Sequence, residues 1–266
     1  RNAKERLQML LYRPFFWMAD RAVFVCEAQR RHWRRRQVFG RRDAVIYNGV
    51  DLGYWTAPAP EARRGLRAAL GIADEDFVIG LSAVLRPEKN PVQLVEAIAM
   101  LRRRGIPARA LMIGDGPLRA DVEARAQGLG LAKDVLISGF QQDVRPFLAA
   151  CDAAVLTSFT EAFSLAAIEA MALGLPVVHS EVGGAAEMIR PGRNGFLFPA
   201  GDTAALADRL SKLAVRSTRE RMGARAREAV EAHFSEAVMV DAYEKMLLEL
   251  ETGNGHEDLR RTAGAH

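Results

Sequence analysis

From residue 77 onward the chain alternates two hydrophobic patterns. Short runs rich in Val, Ile, Leu and Ala are separated by longer stretches with apolar residues at helical spacing. The runs predict strands over Phe77–Leu85, Arg109–Ile113, Val135–Ile137, Ala153–Leu156, Val177–His179 and Gly195–Phe198. The stretches between them predict helices over Pro91–Arg103, Leu118–Gln127, Val144–Ala150, Leu165–Leu173 and Ala185–Ile189. Near-continuous apolar strands joined by amphipathic helices imply a parallel sheet covered on both faces. The expected fold is α/β, a doubly wound, Rossmann-like parallel sheet with its ligand at the carboxyl ends of the strands. Helices are predicted next over Thr203–Val215, Arg219–Ala232 and Glu236–Leu250. Residues 251–266, polar and Gly-containing, read as a disordered tail.

Upstream the pattern is less regular. A helix is predicted over 4–19, a short strand over Ala22–Cys26, a very basic helix over Glu27–Gln37 and a strand over Ala44–Tyr47. Asn48-Gly49 then marks a turn. Strand, helix, strand suggests the last piece of an α/β domain whose earlier units are absent. Asp51 to Pro60 forms a Pro-rich linker, and a helix over Glu61–Leu70 ends at Gly71.

Composition narrows the class. The chain has 266 residues, 49% apolar and 26% charged, which suits a soluble globular protein with one large or two small domains. No run of 18 apolar residues is present. The chain begins at Arg1 rather than Met, so the true N-terminus is expected upstream. Cys26 and Cys151 lie in or beside apolar stretches and read as buried thiols of a reducing compartment rather than a disulfide. Residues 1–42 hold 12 Lys/Arg against 3 Asp/Glu, whereas the remainder is net acidic. The run Arg30, Arg31, Arg34, Arg35 and Arg36 flanks Trp33. It reads as a solvated helix face, or as a peripheral contact with anionic lipid. Nucleic-acid binding is not expected, because no nucleic-acid motif accompanies the run.

Candidate chemistry gathers in Ser158–Val178. Glu161 stands before a predicted helix and Glu169 inside it. Between them lie the first free amides of that helix, at Phe163, Ser164 and Leu165. A helix start offers unpaired N–H groups and partial positive charge, and so suits a phosphate. Acidic side chains beside an anion make sense when they accept hydrogen bonds from hydroxyls, and a nucleotide sugar carries hydroxyls on both sides of its diphosphate. Arg86-Pro87-Glu88-Lys89-Asn90 follows the first strand of this region. Two cations three residues apart at a strand end can pair with a diphosphate, Arg as a planar fork and Lys as a point charge. Gly114-Asp115-Gly116-Pro117 and Gly139-Phe140-Gln141-Gln142-Asp143 follow the next two strands. The histidines show no metal-ligand spacing. Neither a metal nor a cofactor is expected, and positive charge from Arg86, Lys89 and the helix start takes the metal's place.

Glu-x7-Glu followed by Ala-Met-Ala-x-Gly-x-Pro-Val-Val resembles the retaining glycosyltransferases of family 4, which have the GT-B fold. The Arg-x-Glu-Lys-Asn loop, Gly-Asp-Gly-Pro, Gly183-Gly184-x-x-Glu187 and Asn194-Gly195-Phe196-Leu197 extend the resemblance in the same order, over roughly residues 40–250. It implies that Arg86 and Lys89 bind the donor diphosphate, Glu161 the donor sugar and Glu169 the ribose. Gly114 would shape the cleft floor, and Phe140 or Gln141 would pack against the base. Glu161, Arg86 and Lys89 would act catalytically. Asn48-Gly49-Val50-Asp51 stands where the family crosses from acceptor to donor domain. The implied division is an acceptor-domain remnant over 1–47, a donor-binding domain over 48–235, a cross-over helix over 236–250 and a tail over 251–266. The expected substrate is a UDP- or GDP-linked sugar, and the expected acceptor is lipid-linked or a saccharide. The implied place is cytoplasmic or peripheral at the inner membrane face. With the acceptor domain nearly absent, the isolated chain is expected to bind a donor and to transfer poorly or not at all. The alternative is a nucleotide-sugar binding module, or an inactive remnant, without transferase activity.

Overall fold

The computed structural model describes residues 11–12, 14–37 and 42–263. Most of the helix expected over 4–19 lies outside them; residues 11–12 and 14–18 are helical. Strand β1 (Arg21–Phe24), helix α1 (Glu27–Arg34) and strand β2 (Arg42–Val45) form a small parallel unit, with Phe24 beside Val45. Cys26 caps α1, its Sγ accepting from the Gln29 amide at 3.3 Å. Helix α2 (Pro60–Ala69) starts on Pro60, whose fixed φ suits a first turn.

The larger unit follows in strict alternation: β3 (Phe77–Ser82), α3 (Val92–Arg103), β4 (Ala108–Ile113), α4 (Arg119–Gly128), β5 (Val135–Ile137), α5 (Arg145–Ala149) and β6 (Ala153–Leu156). It continues with α6 (Leu165–Ala172), β7 (Val177–Ser180), α7 (Ala185–Met188) and β8 (Gly195–Phe198), then α8 (Thr203–Leu213), α9 (Arg216–His233) and α10 (Glu236–Ala263). The strands form one parallel sheet in the order β5-β4-β3-β6-β7-β8. Two-residue alternation explains how β3 serves both faces. Phe77, Ile79 and Leu81 join one core with Leu94, Val122 and Leu206. Val78 points the other way and joins Leu148, Ile168 and Val230. From β3 the chain winds outward to β5 and then returns to lay β6 against β3. The loops leaving β3 and β6 therefore diverge and open a crevice between them.

The strand expected over Phe77–Leu85 ends at Ser82. Beyond it the backbone folds onto the Gly114–Gly116 turn, and the Leu85 amide donates to the Asp115 carbonyl at 2.9 Å. The basic helix stops at Arg34 rather than Gln37, which turns with φ +58. Helix α9 begins three residues earlier than expected, at Arg216. Helix α10 runs to Ala263, past the Leu250 end expected for it. Where the chain enters the larger unit, the Val50 amide donates to the Phe234 carbonyl at 3.0 Å and the Glu236 amide to the Val50 carbonyl at 2.9 Å. The entry at 48–51 thus lies against the turn between α9 and α10. Gly49 fits there because a Cβ would stand 2.4 Å from the Ser235 carbonyl oxygen.

Candidate functional site

The crevice between β3 and β6 gathers most of the residues the sequence singled out. After β3, Pro87–Lys89 form one 3-10 turn, closed by Asn90 in the left-handed region at φ 47. That turn presents Lys89 to the loop after β6, where its Nζ pairs with Glu161. Ser158 Oγ donates to the same Glu161 oxygen at 2.8 Å. The two loops are tied further by Thr157 Oγ1 donating to the Lys89 carbonyl at 2.7 Å and by the Phe159 amide donating to the Glu88 carbonyl at 2.8 Å. Arg86 stands apart, half exposed, with Glu88 3.6 Å away. It is the more available cation, whereas Lys89 is already shared with Glu161.

Four residues beyond Glu161, α6 begins. Ser164 is its cap, with Oγ accepting from the Ala167 amide at 3.4 Å. The amides of Phe163, Ser164 and Leu165 have no partner among the described residues, so the positive end of α6 opens into the crevice. The Phe163 ring points away and is buried, packed on Tyr47 and Phe234 with ring centroids 5.4 and 5.5 Å distant; only its backbone is left for a ligand. Glu169 lies one turn inside α6, and burial pushes its carboxyl above the usual range. No described residue bonds its side chain.

The floor is glycine-built. At Gly114 a Cβ would lie 2.1 Å from the Ala83 carbonyl oxygen, and φ is +139. Gly183, with φ +54, passes so close under the Glu161 loop that a Cβ would stand 2.1 Å from the Glu161 carbonyl oxygen. Phe140 is 82% exposed beyond β5. Gln141 spends its amide on the Ser138 carbonyl at 2.8 Å.

Sequence reasoning passed over the layer beneath these groups. Ser180 Oγ donates to the Ser158 carbonyl at 2.6 Å, and His179 Nδ1 sits 2.6 Å from the Ser180 carbonyl oxygen. Burial lowers the His179 pKa, so this imidazole stays neutral while Nδ1–H donates. Thr157, Ser158, His179 and Ser180 all follow or end an apolar strand on its carboxyl side, and that position was the available signal. Glu187 has a different task. Its carboxylate accepts from the Glu27 and Ala28 amides at 2.8 Å each and from Tyr47 OH at 3.0 Å, fastening the smaller unit to the larger.

Among the described residues, no group of three or more His, Cys, Asp or Glu side chains could hold a metal ion. An Asp-x-Asp run, Asp74-Glu75-Asp76, lies ahead of β3 at the opposite end of the sheet. There Asp76 accepts from the Ala73 amide at 2.9 Å and pairs with Arg109 at 3.2 Å.

The six-stranded parallel sheet with helices on both faces matches GT-B glycosyltransferase structures. Anabaena HepE, solved in complex with UDP and glucose, superposes with a TM-score of 0.83 at 26% identity, covering 91% of this chain and 67% of HepE. Sucrose-phosphate synthase from Thermosynechococcus elongatus gives 0.75 at 28% identity, covering 92% of this chain and 62% of the synthase. Residues 62–229 match the family described as glycosyl transferases group 1, and the chain belongs to that family. The N-acetyl-alpha-D-glucosaminyl L-malate synthase of Bacillus anthracis is 33% identical over 180 residues, which are 67% of this chain and 47% of the relative. The D-inositol 3-phosphate glycosyltransferase of Nocardia farcinica is 36% identical over 194 residues, or 68% and 42%. The chain thus spans about half the length of the curated relatives it matches.

Proposed function

We propose that this chain forms the donor-binding part of a retaining, family 4-type glycosyltransferase that uses a UDP-linked sugar without a metal. The observation that carries this reading is the meeting of Lys89, Glu161 and the open start of α6 at the β3–β6 switch point. In this reading the diphosphate lies between the Arg86–Lys89 turn and the amides of Phe163, Ser164 and Leu165. Glu169 accepts from the ribose hydroxyls. A diphosphate near Lys89 draws that cation from Glu161, which leaves the Glu161 carboxylate to accept from the donor sugar while Ser158 Oγ still donates to one of its oxygens. As the bond from the anomeric carbon to the diphosphate breaks, negative charge grows on the phosphate. Arg86, Lys89 and the helix start meet that charge without moving. Losing one such group typically costs about 2–4 kcal/mol of barrier lowering. The acceptor hydroxyl gives its proton to the departing phosphate as its oxygen joins the sugar on the same face.

UDP is favoured over GDP by the likeness to HepE, which was solved with UDP. Among the described residues no helix is long and apolar enough to cross a membrane. The exposed Tyr12, Phe15, Phe16 and Trp17 near the basic helix α1 suit a lipid-linked acceptor held at a membrane surface. Calorimetric titration of UDP and of GDP in the presence of EDTA, into the wild-type chain and Glu169→Ala, tests the reading. UDP binding weakened at least tenfold in the variant supports it. Binding that needs a divalent cation, or that is indifferent to Glu169, overturns it.

A further inference from the structure

The end of the large sheet opposite the crevice carries a second cavity, of about 440 Å³. Two distant stretches of sequence line it with cations: Arg63, Arg64 and Arg67 from α2, and Arg216 and Arg219 from the first turn of α9. The carboxylates on the same wall are Asp74, Asp152 and Glu220. Cations therefore exceed carboxylates at this wall.

Part of this cluster is structural. Asp152 is shared by Arg63 at 2.9 Å, Arg67 at 3.3 Å and Arg219 at 3.7 Å. Arg63 and Arg67 also donate to the Ala149 and Ala150 carbonyls at the amino edge of β6. Arg67 is buried, and its Nε has no partner among the described residues. Arg64 and Arg216 have no such task. They hold only Glu61 and Glu220, in pairs whose side chains are all more than half exposed. Pairs of that kind contribute little and exchange readily for a better anion. Helix α9 also starts here, with no side-chain cap on Val215 and no acid in its first turn. Its unpaired amides and dipole add positive potential at the rim.

We propose that this cavity binds a small phosphomonoester. Such a group carries close to two negative charges at neutral pH, and guanidinium forks suit its oxygens. Arg64 and Arg216 take the phosphate with Arg219 beside them, and Leu175 and Pro176 supply an apolar wall for the body of the ligand. The volume lies within the range of small-molecule pockets. The site is separate from the donor crevice: Asp152 and Thr157 stand at opposite ends of β6, about 16 Å apart at ~3.3 Å per residue. The proposal stands whether or not the donor reading does.

Titration of glucose 6-phosphate, and separately of inorganic phosphate, into the 266-residue protein saturated with UDP tests it. Saturable binding of glucose 6-phosphate is expected, weakened at least tenfold in Arg216→Gln/Arg219→Gln and unchanged in Lys89→Ala. Arg216→Gln alone, at a side chain 81% exposed, should fold normally and still weaken binding several-fold. Equal affinity for inorganic phosphate would show that the phosphate alone is recognised, and weaker affinity that the sugar body adds contacts; either supports the site. No saturation by about 10 mM, an affinity of roughly 3 kcal/mol, overturns the proposal. So does binding that survives the arginine substitutions, or that vanishes with Lys89→Ala.

Discussion

Breaking the Lys89–Glu161 pair should cost more than breaking an ordinary surface pair and less than breaking a fully buried one. The two side chains are 21% and 13% exposed. Unit charges about 3 Å apart attract by roughly 5.5 kcal/mol at an effective dielectric constant of ~20. Desolvation of both groups offsets much of this. Exposed pairs are worth about 0–1 kcal/mol, and breaking a buried pair costs about 3–5 kcal/mol. The intermediate burial here gives an expected coupling of ~2 kcal/mol between Lys89→Met and Glu161→Gln in a double-mutant cycle. Ser158 Oγ, 2.8 Å from Glu161, is retained in all four proteins, so its contribution largely cancels. The assay is urea unfolding of the four proteins without nucleotide, with equal m-values as the condition for comparing them. A coupling below about 0.5 kcal/mol would refute the reasoning, because the pair would then be no better ordered than a surface contact.

Four further outcomes follow. Glu187→Ala removes the acceptor of two backbone amides and a phenol, and should cost about 3 kcal/mol while speeding hydrogen exchange at Glu27 and Ala28; amides as protected as in wild type would contradict this. Burial and the Glu187 carboxylate push the Tyr47 phenol up to about 12, so Glu187→Gln should lower it in a spectrophotometric titration, and an unmoved Tyr47 would sink that assignment. Gly183→Ala would place a Cβ 2.1 Å from the Glu161 carbonyl oxygen at a φ of +54, so a loss of about 1–3 kcal/mol and of UDP affinity is expected, and an unchanged melting midpoint would count against the close packing. Burial raises the Glu169 pKa, so the folded chain holds that proton more tightly than the unfolded chain. The associated stability is present below the ordinary carboxylate value and is lost as pH rises through the raised one. Glu169→Gln should therefore gain on wild type in melting midpoint between acidic and neutral pH, and a pH-independent difference would contradict the assignment.

The alternating strands and helices were legible because parallel strands buried on both faces leave short, continuous apolar runs, as Val177-Val178 and Ala153–Leu156 do. The switch-point crevice followed from the same order. Ends of elements were less legible. Ser82 ends β3 because the backbone folds onto Gly114–Gly116, a tertiary contact with no local signature. Motif residues told which groups share the crevice, but not that Lys89 and Glu161 would pair, since pairing depends on how two loops some seventy residues apart close on each other. Thr157, Ser158, His179 and Ser180 were missed because hydroxyls and a lone histidine carry little information until a sheet brings their ends together. The arginines of α2 and α9 escaped notice for a similar reason: with Arg the default cation of this chain, no single one stood out.

The donor-site account is tested most directly by mapping UDP onto the backbone with amide ¹H–¹⁵N NMR, in the absence of divalent metal. The account predicts the largest shifts at Phe163, Ser164, Leu165 and Ala166, together with Arg86, Glu88 and Lys89, and little change near Arg216. Unmoved amides at the start of α6, with the shifts gathered at any other part of the molecule, would contradict it.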